Sequence, residues 1–198
     1  MLRSTAIVFA LLVFGVTVPL DADETRFTVV DSSSSSWVAR GFSDYTVSPE
    51  DAWSFIVSRN FDNGISFEIT GTPLSGTSVD RWFLDFSAPF DAVITPGTYN
   101  DFQRWPFQDT DRPGLAFGST GRLDNRASGF FEVYEAAYDG SGNVLAFSAD
   151  FTHYGEENVN NWAVVQLRYN SSAVPEPASA AVIGLTGAMF FIRRRRSS

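Results

Sequence analysis

The chain has 198 residues, 15% of them aromatic, and a formal net charge of −9. It contains no cysteine, which excludes disulfides, zinc–thiolate sites and iron–sulfur clusters. Residues 23–172 hold nine arginines and no lysine against 21 acidic residues, a formal charge of −12. A segment this acidic would repel phosphate, so its composition argues against nucleic acid as a partner.

The N-terminus has the pattern of a secretory signal peptide. Arg3 is the only charged residue before the apolar run Ala6–Val18. A short basic region, an apolar segment and a small residue, Ala22, at the expected cleavage point are the three parts of such a signal. The run is short, and Pro19 and Asp21 close it, which argues against the alternative of an N-terminal membrane helix. We therefore predict a signal peptide over residues 1–22 and export of the chain.

The middle of the chain shows a two-residue periodicity. Ile65, Phe67 and Ile69, for example, alternate with polar residues, as in a strand with one face inward. The pattern predicts strands over 64–70, 80–86, 130–138, 144–151 and 162–169, with a core of Ile65, Phe67, Trp82, Leu84, Phe147, Phe151, Val165 and Leu167. Glycine- and proline-rich turns separate these strands, and no helical periodicity is sustained. We predict one all-β domain over residues 23–172, an antiparallel β-sandwich with a jelly-roll-like arrangement rather than a closed barrel.

The segment Gly97–Gly114 is rich in aromatic residues but has no clear alternation. The interpretation we favour is a long loop that folds its rings onto the core. The alternative is a sugar-binding loop, which requires Tyr99 or Trp105 to present a ring face to solvent. The candidate sugar contacts are Tyr99, Asp101, Arg104, Trp105 and Asp109.

Residues suited to catalysis are few. His153, the sole histidine, is interpreted as a strand-end residue with a local hydrogen bond rather than part of a Ser–His–Asp triad. Glu132 and Glu135 have opposite strand parity and should point to opposite faces, which makes them poor candidates for a shared site. Glu156 and Glu157 belong to a predicted solvated loop. No metalloprotease, hydrolase or phosphate-loop motif is present in the sequence, and we predict neither enzyme activity nor a cofactor or metal.

Asp139–Asn143, with the sequence Asp-Gly-Ser-Gly-Asn, lies between two predicted strands. It predicts a hairpin turn. A calcium loop is the alternative, but such a loop needs carboxylates at alternating positions and a distal bidentate glutamate. Neither is present here.

Four short strings in residues 121–171 form a recognisable set: Gly121-Arg122, Gly129–Val133, Asp150-Phe151 and Arg168–Ser171. Together they resemble a β-sandwich module of exported bacterial proteins. Members of that family carry one cysteine after the Gly-Arg pair and another after the Asp-Phe pair. The corresponding positions here are Asp124 and Gly155. The resemblance implies a sandwich fold in which a disulfide has been lost at both ends together, and it implies no particular activity.

The C-terminal 26 residues combine three units. A Pro-Glu-Pro box at 175–177 is followed by an uncharged stretch over 178–192 and by four arginines at 193–196. The prolines keep the box extended, the uncharged stretch suits a helix in lipid, and the arginines hold their end in the cytoplasm. A helix of this length spans about 22 Å against a membrane core of about 30 Å, which is short for a permanent anchor.

This order of box, transmembrane helix and basic cluster resembles the PEP-CTERM sorting signal of exported bacterial proteins. The resemblance implies recognition of Pro175, Glu176 and Pro177 by an exosortase, a membrane-embedded protease or transpeptidase-like enzyme. Arg193, Arg194, Arg195 and Arg196 would form the basic stop. We accordingly divide the chain into a signal peptide (1–22), a sandwich domain (23–172) and a sorting signal (173–198).

The resemblance also sets the expected function. It implies a protein that is anchored transiently in the inner membrane and then reaches the cell surface or an extracellular, biofilm-type matrix, with a structural or interaction role. The alternative is a carbohydrate-binding module that contacts extracellular polysaccharide. A glycan hydrolase is a distant third.

Overall fold

The structure is a computed structural model and describes residues 23–173. The predicted signal peptide, the Pro-Glu-Pro box, the predicted membrane helix over 178–192 and the arginine stop lie outside the described residues. Within residues 23–173, no helix is long and apolar enough to cross a membrane.

The described strands are β1 (Glu24–Ser32), β2 (Tyr45–Val47), β3 (Ser54–Arg59), β4 (Ile65–Thr70), β5 (Arg81–Ser87), β6 (Gly97–Asn100), β7 (Gln103–Arg104), β8 (Gly114–Ser119), β9 (Arg122–Leu123), β10 (Ala127–Tyr138), β11 (Val144–Gly155) and β12 (Trp162–Ser171). Two short 3-10 turns, Pro49–Asp51 and Pro89–Asp91, complete the regular structure of this part of the chain.

The strands form two sheets. Sheet 1 has the order β2-β1-β12-β11-β10-β6 and is antiparallel throughout. Sheet 2 has the order β3-β4-β5-β8-β7, with β9 beside β8, and its one parallel pair is β7–β8. Buried side chains from both sheets form one hydrophobic core. The predicted all-β fold with two packed sheets is confirmed.

The connection order differs from the jelly-roll-like arrangement that we predicted. In a jelly roll, two Greek keys route successive strands between the sheets. Here β3–β4–β5 and β10–β11–β12 are meanders, each running consecutively within one sheet. Alternating hydrophobicity indicates which side of a strand faces the core, but it carries no information on which sheet the strand joins.

The five predicted strands are all present, as β4, β5, β10, β11 and β12. The eight predicted core residues are all buried, none more than 2% exposed. Much of this core is aromatic. Trp82 stacks on Phe117 with a ring-centroid distance of 5.6 Å and lies 4.9 Å from Phe27 of the opposite sheet. The contact between Trp82 and Phe27 joins the two sheets across the sandwich.

A β-bulge in β10 overturns the prediction for Glu132 and Glu135. Val133 pairs with Ala149 and Glu135 pairs with Ser148, so Tyr134 is an extra residue in the ladder. One extra residue moves every later side chain to the other face. Glu132 and Glu135 therefore both lie on the outer face of sheet 1, and the prediction of opposite faces, based on simple parity, is wrong.

Candidate functional site

Each of the five candidate sugar contacts is engaged by a neighbouring residue of the domain. Tyr99 packs on the buried Phe131, with ring centroids 4.6 Å apart, and its hydroxyl donates to the carbonyl of Thr95 at 2.9 Å. Asp101 instead forms an exposed ion pair with Arg112 at 3.6 Å.

Asp109, Arg104 and Trp105 also have separate partners. Asp109 accepts a hydrogen bond from the side-chain amide of Gln103 at 2.9 Å. Arg104 covers the ring of Phe107, 4.7 Å from its centroid. The half-buried Trp105 donates its indole N–H to Asp62 at 2.8 Å.

The rings of the segment Gly97–Gly114 divide between core and surface. Phe102 is buried, and Tyr99 packs on the core, as the favoured interpretation of this loop requires. Phe107 is 70% exposed, and Phe61, whose ring lies 5.3 Å from that of Trp105, is 79% exposed. This end of the loop therefore leaves aromatic surface open to solvent.

His153 lies inside β11 and not at a strand end. It is buried between the rings of Phe102 and Phe117, at centroid distances of 6.2 and 5.3 Å. Its Nδ1 has no hydrogen-bond partner in the described part of the chain, so the predicted local hydrogen bond is wrong for that atom. Burial lowers the pKa of His153 to about 4, so the ring is neutral at pH 7. A neutral ring enclosed by aromatic side chains has no access to a substrate.

The Asp139–Asn143 turn joins β10 and β11 as the predicted hairpin. Asp139 Oδ1 accepts hydrogen bonds from the backbone N–H groups of Ser141 and Asn143, at 2.8 and 2.9 Å. The side-chain amide of Asn143, which donates to Oδ2, lowers the pKa of Asp139 most, and the backbone N–H groups lower it further. Its carboxylate thus holds the turn together. No group of three or more His, Cys, Asp or Glu residues within 23–173 is arranged to hold a metal ion.

Asp124 and Gly155, the two positions that align with cysteines in the resembling module, are in direct contact. A Cβ atom on Gly155 would lie 2.7 Å from Cγ of Asp124. Asp124 is buried, and its Oδ2 has no hydrogen bond within the described residues. Burial and, secondarily, the nearby Glu156 carboxylate raise the pKa of Asp124 to about 6.

His153 and Asp124 should give the folding stability opposite pH dependences. The folded state disfavours protonated His153, so this residue's contribution is lost as the pH falls from about 6.5 towards 4. The folded state also disfavours ionised Asp124, so its penalty is present above pH 6 and is relieved as the pH falls towards 4. Each group changes the free energy of unfolding by on the order of 3 kcal/mol over this pH range, and the two changes partly cancel. On acidification from pH 6.5 to 4, His153→Leu should therefore lose less stability than the wild type, and Asp124→Asn should lose more.

Urea unfolding of the three proteins at pH 7, 5.5 and 4 measures this difference. If both variants show the pH profile of the wild type, neither group is coupled to folding in the way proposed.

The outer face of sheet 1 carries a groove that the sequence analysis missed. We call it the aromatic groove; its volume is about 420 Å³, and its lining residues are Phe130, Thr152, Tyr154, Val159, Trp162 and Val164. These residues come from β10, β11, β12 and the loop between β11 and β12. The sequence contained a signal for this groove: the aromatic residues Phe130, Tyr154 and Trp162 each stand next to an inward-facing residue and so point outward. The inward neighbours are Phe131, His153 and Ala163.

A polar cluster continues from the groove along the same face. We call it the outer-face cluster: Glu132, Tyr134, Asp150, Gln166 and Arg168. The buried Arg168 forms an ion pair with Asp150 at 2.6 Å, and Gln166 donates to the other oxygen of Asp150 at 3.1 Å. Tyr134 lies over the Arg168 guanidinium at 5.5 Å and donates to Glu132 at 3.3 Å. Groove and cluster together form a built surface with stacking groups at one end and hydrogen-bonding groups at the other.

Tyr134 stays protonated over the whole neutral range. Burial, followed by the Asp150 and Glu132 carboxylates, raises the pKa of Tyr134 to about 12. Its hydroxyl therefore remains a hydrogen-bond donor at pH 7.

No protein-family model, curated protein or solved structure matches this chain. Its function is therefore inferred from the geometry of residues 23–173 and from the sequence pattern at its two ends.

Proposed function

We propose that this chain is an exported protein of the cell surface or extracellular matrix, with a structural or interaction role. The observation that supports this most is the order of the C-terminal units: Pro175-Glu176-Pro177, an uncharged stretch, then Arg193–Arg196. An exosortase-type enzyme would process the chain near the box while the stretch is transiently in the inner membrane.

The position of the domain's two ends is compatible with this route. Glu24, at the start of β1, pairs with Ser171, at the end of β12. The two predicted signals therefore join the domain at the same end of sheet 1. Strand β12 lies between β1 and β11, and its pairing is complete before residue 174. Processing near the box would leave this sheet intact.

Replacing Pro175-Glu176-Pro177 with Ala-Ala-Ala should trap full-length protein in the inner membrane. Without the prolines, the helix can extend towards the domain, and the processing enzyme loses its extended substrate. Replacing Arg193–Arg196 with serine should instead weaken the stop and release unprocessed chain into the periplasm. Mass spectrometry of the C-terminus in each cell fraction reports both outcomes.

The wild-type protein is the control, and its mature form should lack residues 178–198. A mature surface-located protein that retains its full C-terminus would contradict processing and would reduce the tail to a simple anchor.

The second candidate function is a carbohydrate-binding module, and the aromatic groove with its adjoining outer-face cluster favours it. Stacking rings beside hydrogen-bonding groups suit a polyhydroxylated ligand with apolar ring faces. We do not propose the hydrolase. The two facing carboxylates on this surface, Glu132 and Asp150, are already bound by Tyr134 and by Gln166 and Arg168.

A further inference from the structure

We propose that the outer face of sheet 1 binds an extended, neutral polysaccharide, with sugar rings stacked in the aromatic groove and hydroxyl groups bound by the outer-face cluster. This inference rests on the proposed interaction role and names its site and ligand. It does not depend on the sorting route.

The register of sheet 1 places the aromatic residues side by side. Tyr154 pairs directly with Trp162, and Phe130 pairs with Thr152 one step along the same face. Neighbouring strands lie about 4.8 Å apart, and residues two apart on a strand are separated by about 6.8 Å. By this register the backbone positions of Phe130 and Tyr154 lie about 8 Å apart and those of Phe130 and Trp162 about 12 Å apart, so the three rings are spread over three strands of one surface and would contact successive parts of a sugar chain. Phe130 is 45% exposed, so part of its ring is open to a ligand in the groove.

The outer-face cluster begins on the next row of the sheet. Glu132, Asp150 and Gln166 lie opposite one another on β10, β11 and β12. Arg168 is held rigidly beneath them, because its Nη1 also donates to the carbonyls of Ala149 and Leu167 at 3.0 Å. A ligand would therefore meet donors and acceptors that are already positioned, which reduces the entropy lost on binding.

The charge of the domain selects the ligand class. The carboxylates of Glu132 and Asp150 lie on a domain of formal charge −12, so an anionic polysaccharide would be repelled. A neutral sugar chain offers hydroxyl groups to the lone pairs that these carboxylates keep free, and apolar ring faces to the aromatic side chains. A protein partner fits less well, since the centres of protein interfaces are depleted in charged residues. Here the charged cluster directly adjoins the groove.

The volume of the groove is also suitable. At about 420 Å³ it falls in the range of small-ligand sites, which is about 300–1,000 Å³. A long chain would lie across several rows of the face, with part of it in the groove and its continuation over the cluster. Binding should therefore strengthen with chain length.

Affinity electrophoresis of the purified full-length chain tests the proposal. The probes are gels containing hydroxyethylcellulose, glucomannan or xylan, with alginate as the anionic comparison. At least one neutral polysaccharide should retard the wild type, and alginate should not. Phe130→Ala and Trp162→Ala should each weaken the retardation at least tenfold. Gln166→Ala should weaken it without changing the stacking groups.

Phe61→Ala is the control for Phe130→Ala, because it removes an exposed ring of the same type from the loop next to Trp105. Trp37→Ala, at a half-exposed tryptophan outside the groove, is the control for Trp162→Ala. Both controls should bind like the wild type. Thermal unfolding confirms that each variant is folded, and Phe130→Ala keeps the test decisive if Trp162→Ala is unstable.

Three results would overturn the proposal: no retardation by any neutral gel, equal retardation by alginate, or loss of binding in Phe61→Ala but not in Phe130→Ala. The last result would place the binding site beside Phe61 and Trp105 instead of in the aromatic groove. Because the assay uses purified protein, a failure of binding is distinguishable from a failure of C-terminal processing, which is measured in cells.

Discussion

Trp82→Ala should lower the free energy of unfolding by about 3–5 kcal/mol, the range for loss of a buried aromatic side chain. Trp82 is fully buried, and its ring lies within 5.6 Å of the rings of Phe27, Tyr45 and Phe117. Because Phe27 and Tyr45 belong to sheet 1 and Trp82 to sheet 2, the cavity would open at the contact between the sheets. A domain of this size is stable by only about 5–15 kcal/mol, so the variant should unfold at far lower denaturant concentration.

Chemical denaturation followed by tryptophan fluorescence and circular dichroism measures this loss. Trp37→Ala is the control, because it removes the same side chain from a site that is 50% exposed and should cost about 1 kcal/mol or less. Equal losses in the two variants would mean that the packing of Trp82 is not a major source of stability.

Asp124→Cys with Gly155→Cys should form a disulfide and raise the free energy of unfolding by about 4 kcal/mol. The bond would close a loop of about 30 residues, for which loop-closure entropy gives a gain of this size. A Cβ atom on Gly155 would overlap Oδ2 of Asp124, so side chains at the two positions meet. The pair of substitutions also removes a buried carboxylate whose ionised form is disfavoured by folding.

Mass spectrometry after oxidation should show the loss of both thiol protons, and a reductant should return the melting temperature to a lower value. The double serine variant at the same positions separates the crosslink from removal of the carboxylate. Two free thiols after oxidation, or a melting temperature that a reductant leaves unchanged, would show that the backbone does not allow the bond.

The strands that the sequence predicted correctly have apolar side chains at every second position, on the face that packs in the core. Strand β4 alternates most cleanly, because its outward side chains Ser66, Glu68 and Thr70 are polar. By contrast, β8 was missed because all six of its residues are buried. Its outward side is covered as well: the ring of Phe83 lies where a Cβ on Gly118 would be. A strand buried on both faces has no two-residue alternation to detect.

Parity alone places all five residues of the outer-face cluster outward, but it does not show that β10, β11 and β12 are neighbours and bring those residues together. The extra residue at Tyr134 leaves no pattern in the sequence, yet it reverses the side on which Glu135 lies. The aromatic groove was hidden for a different reason. The predicted strand ended at Phe151, whereas β11 continues to Gly155 and places Tyr154 beside Trp162.

The central position of β12 has a mechanical consequence. A pull on the C-terminal tail acts along β12, which is bonded to β1 on one side and to β11 on the other. Interstrand hydrogen bonds run perpendicular to the strands, so this force shears both ladders at once and does not peel them apart bond by bond. A domain held by its tail and loaded through its outer face would therefore resist extraction until many bonds break together.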